Sequence, residues 1–395
     1  MARVLKICGS EWENASRDER ELSAYRELGH EVIVMAKGDP GDRGRDDNVD
    51  GFRVLRYSTR PLGNRFPTAL NRAVSVFQWA AWARKLHPDV ISGHDLIPGL
   101  TIAWLSTFFA LPKPTLIYDS HEFEIGRSLD RSPLRTRLVL CWERFLIQRC
   151  AFSIMVNDTI ADEVKRIHSL NKRPIVVRST PDCWVLNSEQ IALQRGVFLR
   201  EFSQRGETVS FLVMYHGMIS DGRGLEVTIQ ALAQLKDVGL VILGKGEMDY
   251  LSSLRCLATS CGVGGRVIFF PAVPLTELWK YVAAVDLSVM MIQPAFKSYY
   301  YALPNKFFES IQALTPILAS DFPEMKRLID KYQIGLTCCP TDPKTVSERI
   351  ARMRDDEDFR KRCRENLVKA KQELCWENEK HILMDAFMNV TKGMP

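Results

Sequence analysis

At 395 residues the chain is too long for one comfortable core, so two α/β domains are expected, and 46% hydrophobic with 26% charged residues is ordinary globular composition. The net charge of +5 is modest but uneven: residues 51–150 hold about 14 Arg/Lys against about 7 Asp/Glu, a basic zone in the first half. The ten cysteines include no CxxC pair, which fits cytosolic thiols and excludes a disulfide framework or a zinc knuckle. The opening "MARVLKICGSEWENASRDEREL" runs from a short apolar strand straight into charge, unlike a signal peptide, and no apolar run reaches the roughly 18 residues of a membrane span. A cytoplasmic protein is expected, with any membrane contact peripheral.

The first half alternates short apolar strands with amphipathic helices. "RVLKICG" reads as a strand, "SRDERELSAYREL" as a capped helix ended by Gly29, and "HEVIVMA" as the second strand. "KGDPGDRGRDDNVDG" reads as a polar loop, "FRVLRY" as a third strand, and "LNRAVSVFQWAAWARKL" as a long helix. "PDVISGHD" and "TLIYDSHEFE" are strands that end in a histidine and charge. "SPLRTRLVLCWERFLIQRC" is a helix with Ser132 as cap and Pro133 at its first position, and "FSIMVND" and "PIVVRS" complete the set. This rhythm implies a mostly parallel sheet covered on both faces. Residues 183–208 break it and read as an interdomain connection.

The rhythm then restarts with "VSFLVMYHG", a helix from Leu225, "LVILGKG", a helix to about Ser260, "RVIFFPAV", a helix from Leu275 and "DLSVMMI". In "SYYYALPNKFFESIQALTPILAS", Pro304 suits a first helical position, Phe307, Phe308 and Ile311 make a buried stripe, Asn305 and Glu309 share another face, and "PILAS" is a buried strand. Two more helices follow, from about Asp342 and Asp356. The expected organisation is a first domain over 1–182, a second over 209–374, and a last helix over 375–395 that crosses back. The fold class is α/β: two Rossmann-like domains with parallel sheets facing a cleft, the default ligand site.

Together, "ELSAYRELGHEVIVMA", "HGMISDGRGLEVTIQAL", "LVILGKGE", "AAVDLSVM" and "ALPNKFFESIQALTPILAS" resemble, in order, the family 4 retaining glycosyltransferases of the GT-B fold. The "LPNK" variant is most similar to enzymes that build bacterial capsule, O-antigen and other surface glycans. The resemblance implies metal-independent, retaining transfer of a sugar from a nucleotide-sugar co-substrate to a hydroxyl of a glycan or lipid-linked acceptor, with no further cofactor. It implies that Arg223, in a Gly-Arg-Gly turn, meets the diphosphate, where charge accumulates as the anomeric bond breaks. Lys245 in "LGKGE" joins it, and Glu309 accepts the ribose hydroxyls. Gly217, Leu303, Pro304, Asn305 and Lys306 lie against the diphosphate, as do Gly9 and Ser10 from the first domain. His121 faces the donor sugar and the acceptor, ahead of His94, with Asp119, Glu122 and Glu124 as surrounding carboxylates.

Two positions depart from the family. Tyr301 stands where the first of two glutamates is usual, and Met218 stands where Gly-Arg is common, so Lys245 or Lys306 is the candidate replacement cation. These departures keep open two alternatives, a nucleotide-sugar epimerase on the same fold and a non-catalytic subunit supporting an active transferase. "GKG" lacks the third glycine of a dinucleotide fingerprint, no G-x-S-x-G occurs, and no His or Cys pair has metal-ligand spacing, so no metal is expected. Arg17 and Arg20 open a helix, either solvated or reaching the acceptor. The basic zone, with Arg60, Arg65, Arg72, Arg127, Arg131, Arg135 and Arg137 near Trp79, Trp82 and Trp142, suits an anionic membrane surface; no motif supports nucleic acid.

Overall fold

A computed structural model of the chain describes residues 1–12, 16–126 and 132–392, so Arg127 and Arg131 of the basic zone lie outside the described residues. The chain divides into two compact units, one of Met1–Arg178 with Glu379–Pro395 and one of Ser179–Asn378.

The first unit has eight strands: β1 (Arg3–Ile7), β2 (Glu31–Gly38), β3 (Arg43–Val49), β4 (Phe52–Ser58), β5 (Val90–His94), β6 (Thr115–Ser120), β7 (Phe152–Met155) and β8 (Ile175–Val176). Their order is β3-β4-β2-β1-β5-β6-β7-β8, parallel throughout except for β3 with β4. Side chains alternate across a strand. Leu5 and Ile7 of β1 therefore join Ile33, Met35, Leu55 and Ile91 on one face, packed by Trp79, Ala80 and Ala83 of the helix Thr68–Lys85. Lys6 points to the opposite face. There it meets the helix Ser16–Glu27, whose Tyr25 ring stacks on Phe387 at 4.1 Å between centroids.

Strand β3 corrects the expectation of a loop. Its run "RGRDDNV" has no apolar alternation, so periodicity could not reveal it. It is an antiparallel edge strand paired to β4 through the backbone, with ion pairs across the two strands: Arg56 bonds Asp47 at 2.6 Å and Arg53 bonds Asp46 at 2.7 Å. An edge built this way also resists pairing with other chains.

The second unit is a six-stranded parallel sheet: β9 (Phe211–His216), β10 (Val238–Leu243), β11 (Val267–Phe270), β12 (Leu287–Met290), β13 (Ile317–Ser320) and β14 (Gly335–Cys338), in the order β11-β10-β9-β12-β13-β14. Every residue of β9 and β10 is buried, as expected of central parallel strands covered on both faces. Residues 183–208 are not a bare connection. They hold the helix Ser188–Gln204, whose Phe198 and Phe202 enter the core beside Leu212, Met214 and Val241. The helix Asn305–Gln312 starts one residue later than expected, with Pro304 as an extended cap, and buries Phe307, Phe308 and Ile311 against Met325 and Leu367.

Candidate functional site

In the second unit the site is built where β9 and β10 end. Gly217 follows β9 with φ +111°, a backbone that side chains rarely adopt, and its N–H donates to the Leu243 carbonyl at 2.9 Å. The Ile219 N–H donates to the Lys245 carbonyl at 2.9 Å, so the two loops are strapped together through their backbones. A Cβ at Gly244 would overlap the Gly217 carbonyl, which explains the glycine ahead of Lys245. These loops, with Tyr250, Ala272, Val273, Leu275, Leu278 and Glu309, enclose a cavity of about 860 Å³, within the range of small-molecule sites.

One end of the cavity is polar. His216, the last residue of β9, is buried, and its Nε2 lies 3.0 Å from Glu309 Oε2. The His216 Nδ1 is buried and has no hydrogen-bond partner among the described residues. Lys306, three residues before Glu309, is also buried. Its Nζ sits 3.6 Å above the Tyr215 ring and directly beneath Gly217. Among the described residues it forms no ion pair. Burial, and then the Arg223 charge, lower the Lys306 pKa well below that of a free lysine, while Glu309 opposes them weakly.

Arg223 lies between Gly222 and Gly224, both with positive φ, and its guanidinium carbon is 5.1 Å from the Tyr299 ring centre. Its Nε is buried without a partner among the described residues. The turn therefore aims a second cation, unpaired among the described residues, at the region of Lys306.

The fold brings together Gly217, Lys245 and Glu309 on the cavity wall, with Lys306 just beneath it. Of the two candidate replacement cations, Lys245 is exposed and Lys306 buried. Leu303 is a core residue, and Asn305 stands exposed at the start of its helix. Met218 lines the cavity with its side chain exposed, while its carbonyl accepts the Tyr215 hydroxyl at 2.5 Å. Sequence reading missed His216. Its only signal was a histidine at the end of an all-apolar strand, and its partner is remote in sequence.

The first unit gathers a separate cluster at the carboxyl ends of β1, β5 and β6. The Lys6 Nζ, fully buried, lies 2.5 Å from Asp119, 2.9 Å from Glu21 and 3.0 Å from Asp18. Arg17 is no solvated helix start: it is buried, donating to the Val177 carbonyl at 2.8 Å and to Asp119 at 3.2 Å. His121 Nε2 is 2.9 Å from Asp119, and the His121 ring lies against His94 at 3.8 Å. His94 in turn bonds Asp18 at 3.1 Å. Burial works against a charged His94, but Asp18 outweighs it and pushes the pKa up to about 11. Burial, then the Asp119 charge, push Glu21 up to about 7. Gly9 packs on the Pro98 ring, and the carbonyl of exposed Ser10 accepts from the Lys37 N–H at 3.0 Å.

Asp18, His94, Asp119 and His121 offer four metal-type ligands within 4.8 Å of one another, a grouping that linear spacing could not reveal because three separate segments supply it. The Lys6 ammonium already lies against both carboxylates, where a cation would sit. The residues therefore do not fit a metal.

Residues 200–370 match the family described as glycosyl transferases group 1, and residues 19–180 match the glycosyl transferase 4-like domain. Glycogen synthase of Mycobacterium tuberculosis is 23% identical over 85% of this chain and 80% of its own length. The lipopolysaccharide core biosynthesis glycosyltransferase LpsE of Rhizobium meliloti is 26% identical over 62% of this chain and 74% of its own. The structure of Anabaena Alr3699/HepE in complex with UDP-glucose superposes with a TM-score of 0.75 at 15% identity, covering 99% of this chain and all of that one. With a family match in each half and the GT-B fold throughout, the chain belongs to the group 1 glycosyltransferases with a 4-like first domain.

Proposed function

We propose that the protein transfers a sugar from a nucleotide-sugar donor to a hydroxyl of a growing surface glycan, with retention of anomeric configuration and without a metal. The observation that carries this reading is the placing, beside the second unit's cavity, of two cations that lack carboxylate partners among the described residues, next to a glutamate on the cavity wall. Arg223 and Lys306 suit a departing diphosphate, and fixed cations in a water-poor site stabilise the charge that develops there. Lys245 adds an exposed third cation. Gly217 and the residues Leu303, Pro304 and Asn305 bring backbone near the phosphates, and Glu309 takes the ribose diol. In the first unit, His121, fixed by Asp119, hydrogen-bonds a sugar hydroxyl, with Gly9 and Ser10 beside it.

The surface-glycan role draws support from the likeness to LpsE, and the nucleotide-sugar donor from the complex of Alr3699/HepE with UDP-glucose. Metal independence draws support from the two cations in the second unit and from Lys6 in the first. No helix among the described residues is long and apolar enough to cross a membrane. Peripheral membrane contact is supported by the helices Thr68–Lys85, Thr101–Ser106 and Pro133–Ile147. Their only acidic residue, Glu143, is buried, while Phe77, Leu134 and Leu138 stand exposed among arginines.

The test is a transfer assay with a panel of nucleotide sugars in the presence of a chelator, reading the anomeric configuration of the product by NMR. Turnover that requires a divalent ion, or an inverted product, overturns the reading. Epimerised donor without acceptor points instead to the epimerase.

A further inference from the structure

Glu309 and Lys306 are three residues apart on one helix, the spacing at which side chains of opposite charge pair. They do not pair here: among the described residues Glu309 is hydrogen-bonded to His216, and Lys306 lies over Tyr215 with no carboxylate partner. A glutamate free to rotate would find the buried ammonium, because an unpaired charge in a dry site is costly. The arrangement therefore needs something to hold the carboxylate away.

We infer that His216 is a positioning residue that keeps Glu309 off Lys306, so that the carboxylate stays on the cavity wall for the ribose diol and the ammonium stays free for the diphosphate. The inference rests on the donor-site reading above and adds a residue that reading does not contain. Three observations support it. The His216 ring is buried at the end of a central strand, so it cannot follow the carboxylate if the carboxylate moves. Its Nε2 must carry the hydrogen to bond a carboxylate at 3.0 Å. Among the described residues its Nδ1 has no partner, and Glu309 is the only group bonded to the ring. A carboxylate has about four acceptor sites, so one bond to His216 leaves both oxygens able to take vicinal hydroxyls. Among the described residues, the charged and titratable groups shown to face Lys306 are Tyr215 from the strand, Arg223 from the turn and Glu309 from its own helix. Of these, only Glu309 can neutralise it.

The experiment measures affinities by calorimetry for UDP, 2′-deoxy-UDP and inorganic pyrophosphate, with GDP and its 2′-deoxy form in parallel. The proteins compared are the wild type, His216→Gln, His216→Leu, Glu309→Gln and the double variant His216→Leu/Glu309→Gln. The wild type should prefer the ribonucleotide by about 10-fold or more, the value of a hydrogen bond to a charged group. His216→Gln, whose amide reaches the Nε2 position, should keep that preference, and His216→Leu should lose it. His216→Leu should also bind pyrophosphate about 10-fold more weakly, because Glu309 now neutralises Lys306. The double variant should regain that affinity.

A purely structural histidine would weaken pyrophosphate equally in the single and double variants, and that result overturns the inference. It is also overturned if His216→Leu keeps the ribose preference while Glu309→Gln loses it. If Glu309→Gln keeps the preference too, the assignment of Glu309 to ribose is what fails. Should His216→Leu not fold by circular dichroism, His216→Asn replaces it. Its shorter amide cannot reach Glu309, and full ribose preference there would sink the proposal.

Discussion

Replacing Lys306 by Met tests the cation pair most directly, because stability and binding should move in opposite directions. In the ligand-free protein, burial and Arg223 disfavour the ammonium. The native state therefore holds that proton less tightly than the unfolded chain, and stability rises with pH up to the free-lysine value of about 10.4. Methionine fills a similar volume without the charge. Exchanging a buried charge for a well-packed apolar group is often stabilising by about 1–4 kcal/mol, which raises the melting point of a unit this size by roughly 2–16 °C. The same change removes a charged donor from the diphosphate, worth about 1.5–3 kcal/mol, or roughly 10-fold to 100-fold in affinity. Thermal unfolding with and without UDP reads both effects: the variant should melt higher when empty and gain less on adding ligand. The gap between variant and wild type, both empty, should narrow as pH rises. A variant that melts lower when empty, or that binds UDP as well as the wild type, refutes the reasoning.

Other outcomes follow from the same geometry. Asp119→Asn removes the shared partner of Lys6, Arg17 and His121 and should cost the first unit about 3–5 kcal/mol in urea unfolding; a loss under 1 kcal/mol contradicts a structural role for the cluster. Burial works to raise the Asp119 pKa, but Lys6 and His121 hold it well below the usual carboxylate range, so its contribution is present above about pH 4 and lost as pH falls below it. Gly224→Ala forces a side chain onto a backbone at φ +73° and into the Met291 carbonyl. It should destabilise the second unit by more than about 1 kcal/mol and weaken UDP binding through Arg223, and unchanged values for both would show that the turn is not needed. Flotation with phosphatidylglycerol vesicles should capture the protein in a salt-sensitive way. Arg135→Glu with Arg137→Glu should cut binding by about 10-fold or more, and binding that ignores charge and salt removes the membrane proposal.

Much of this protein is written in local sequence. The apolar runs around Val213 and Val241, and the helical stripe of Phe307, Phe308 and Ile311, determine elements because burial on a sheet or helix face imposes a period that neighbouring residues reveal. Gly217, Arg223 and Glu309 were singled out by the resemblance of their short motifs to a family, which is also a local feature of the sequence. The edge strand Arg43–Val49 escaped because its polar residues carry no apolar period, while the backbone pairing that holds it to β4 leaves no mark in neighbouring residues. What only the tertiary structure decided is which charges meet. His216 reaches Glu309 across 93 residues, and Lys6 collects Asp18, Glu21 and Asp119 from two separate segments. Electrostatic partners are chosen by distance in a low-dielectric interior, and that distance is set by how strands are ordered in a sheet, which no stretch of sequence contains.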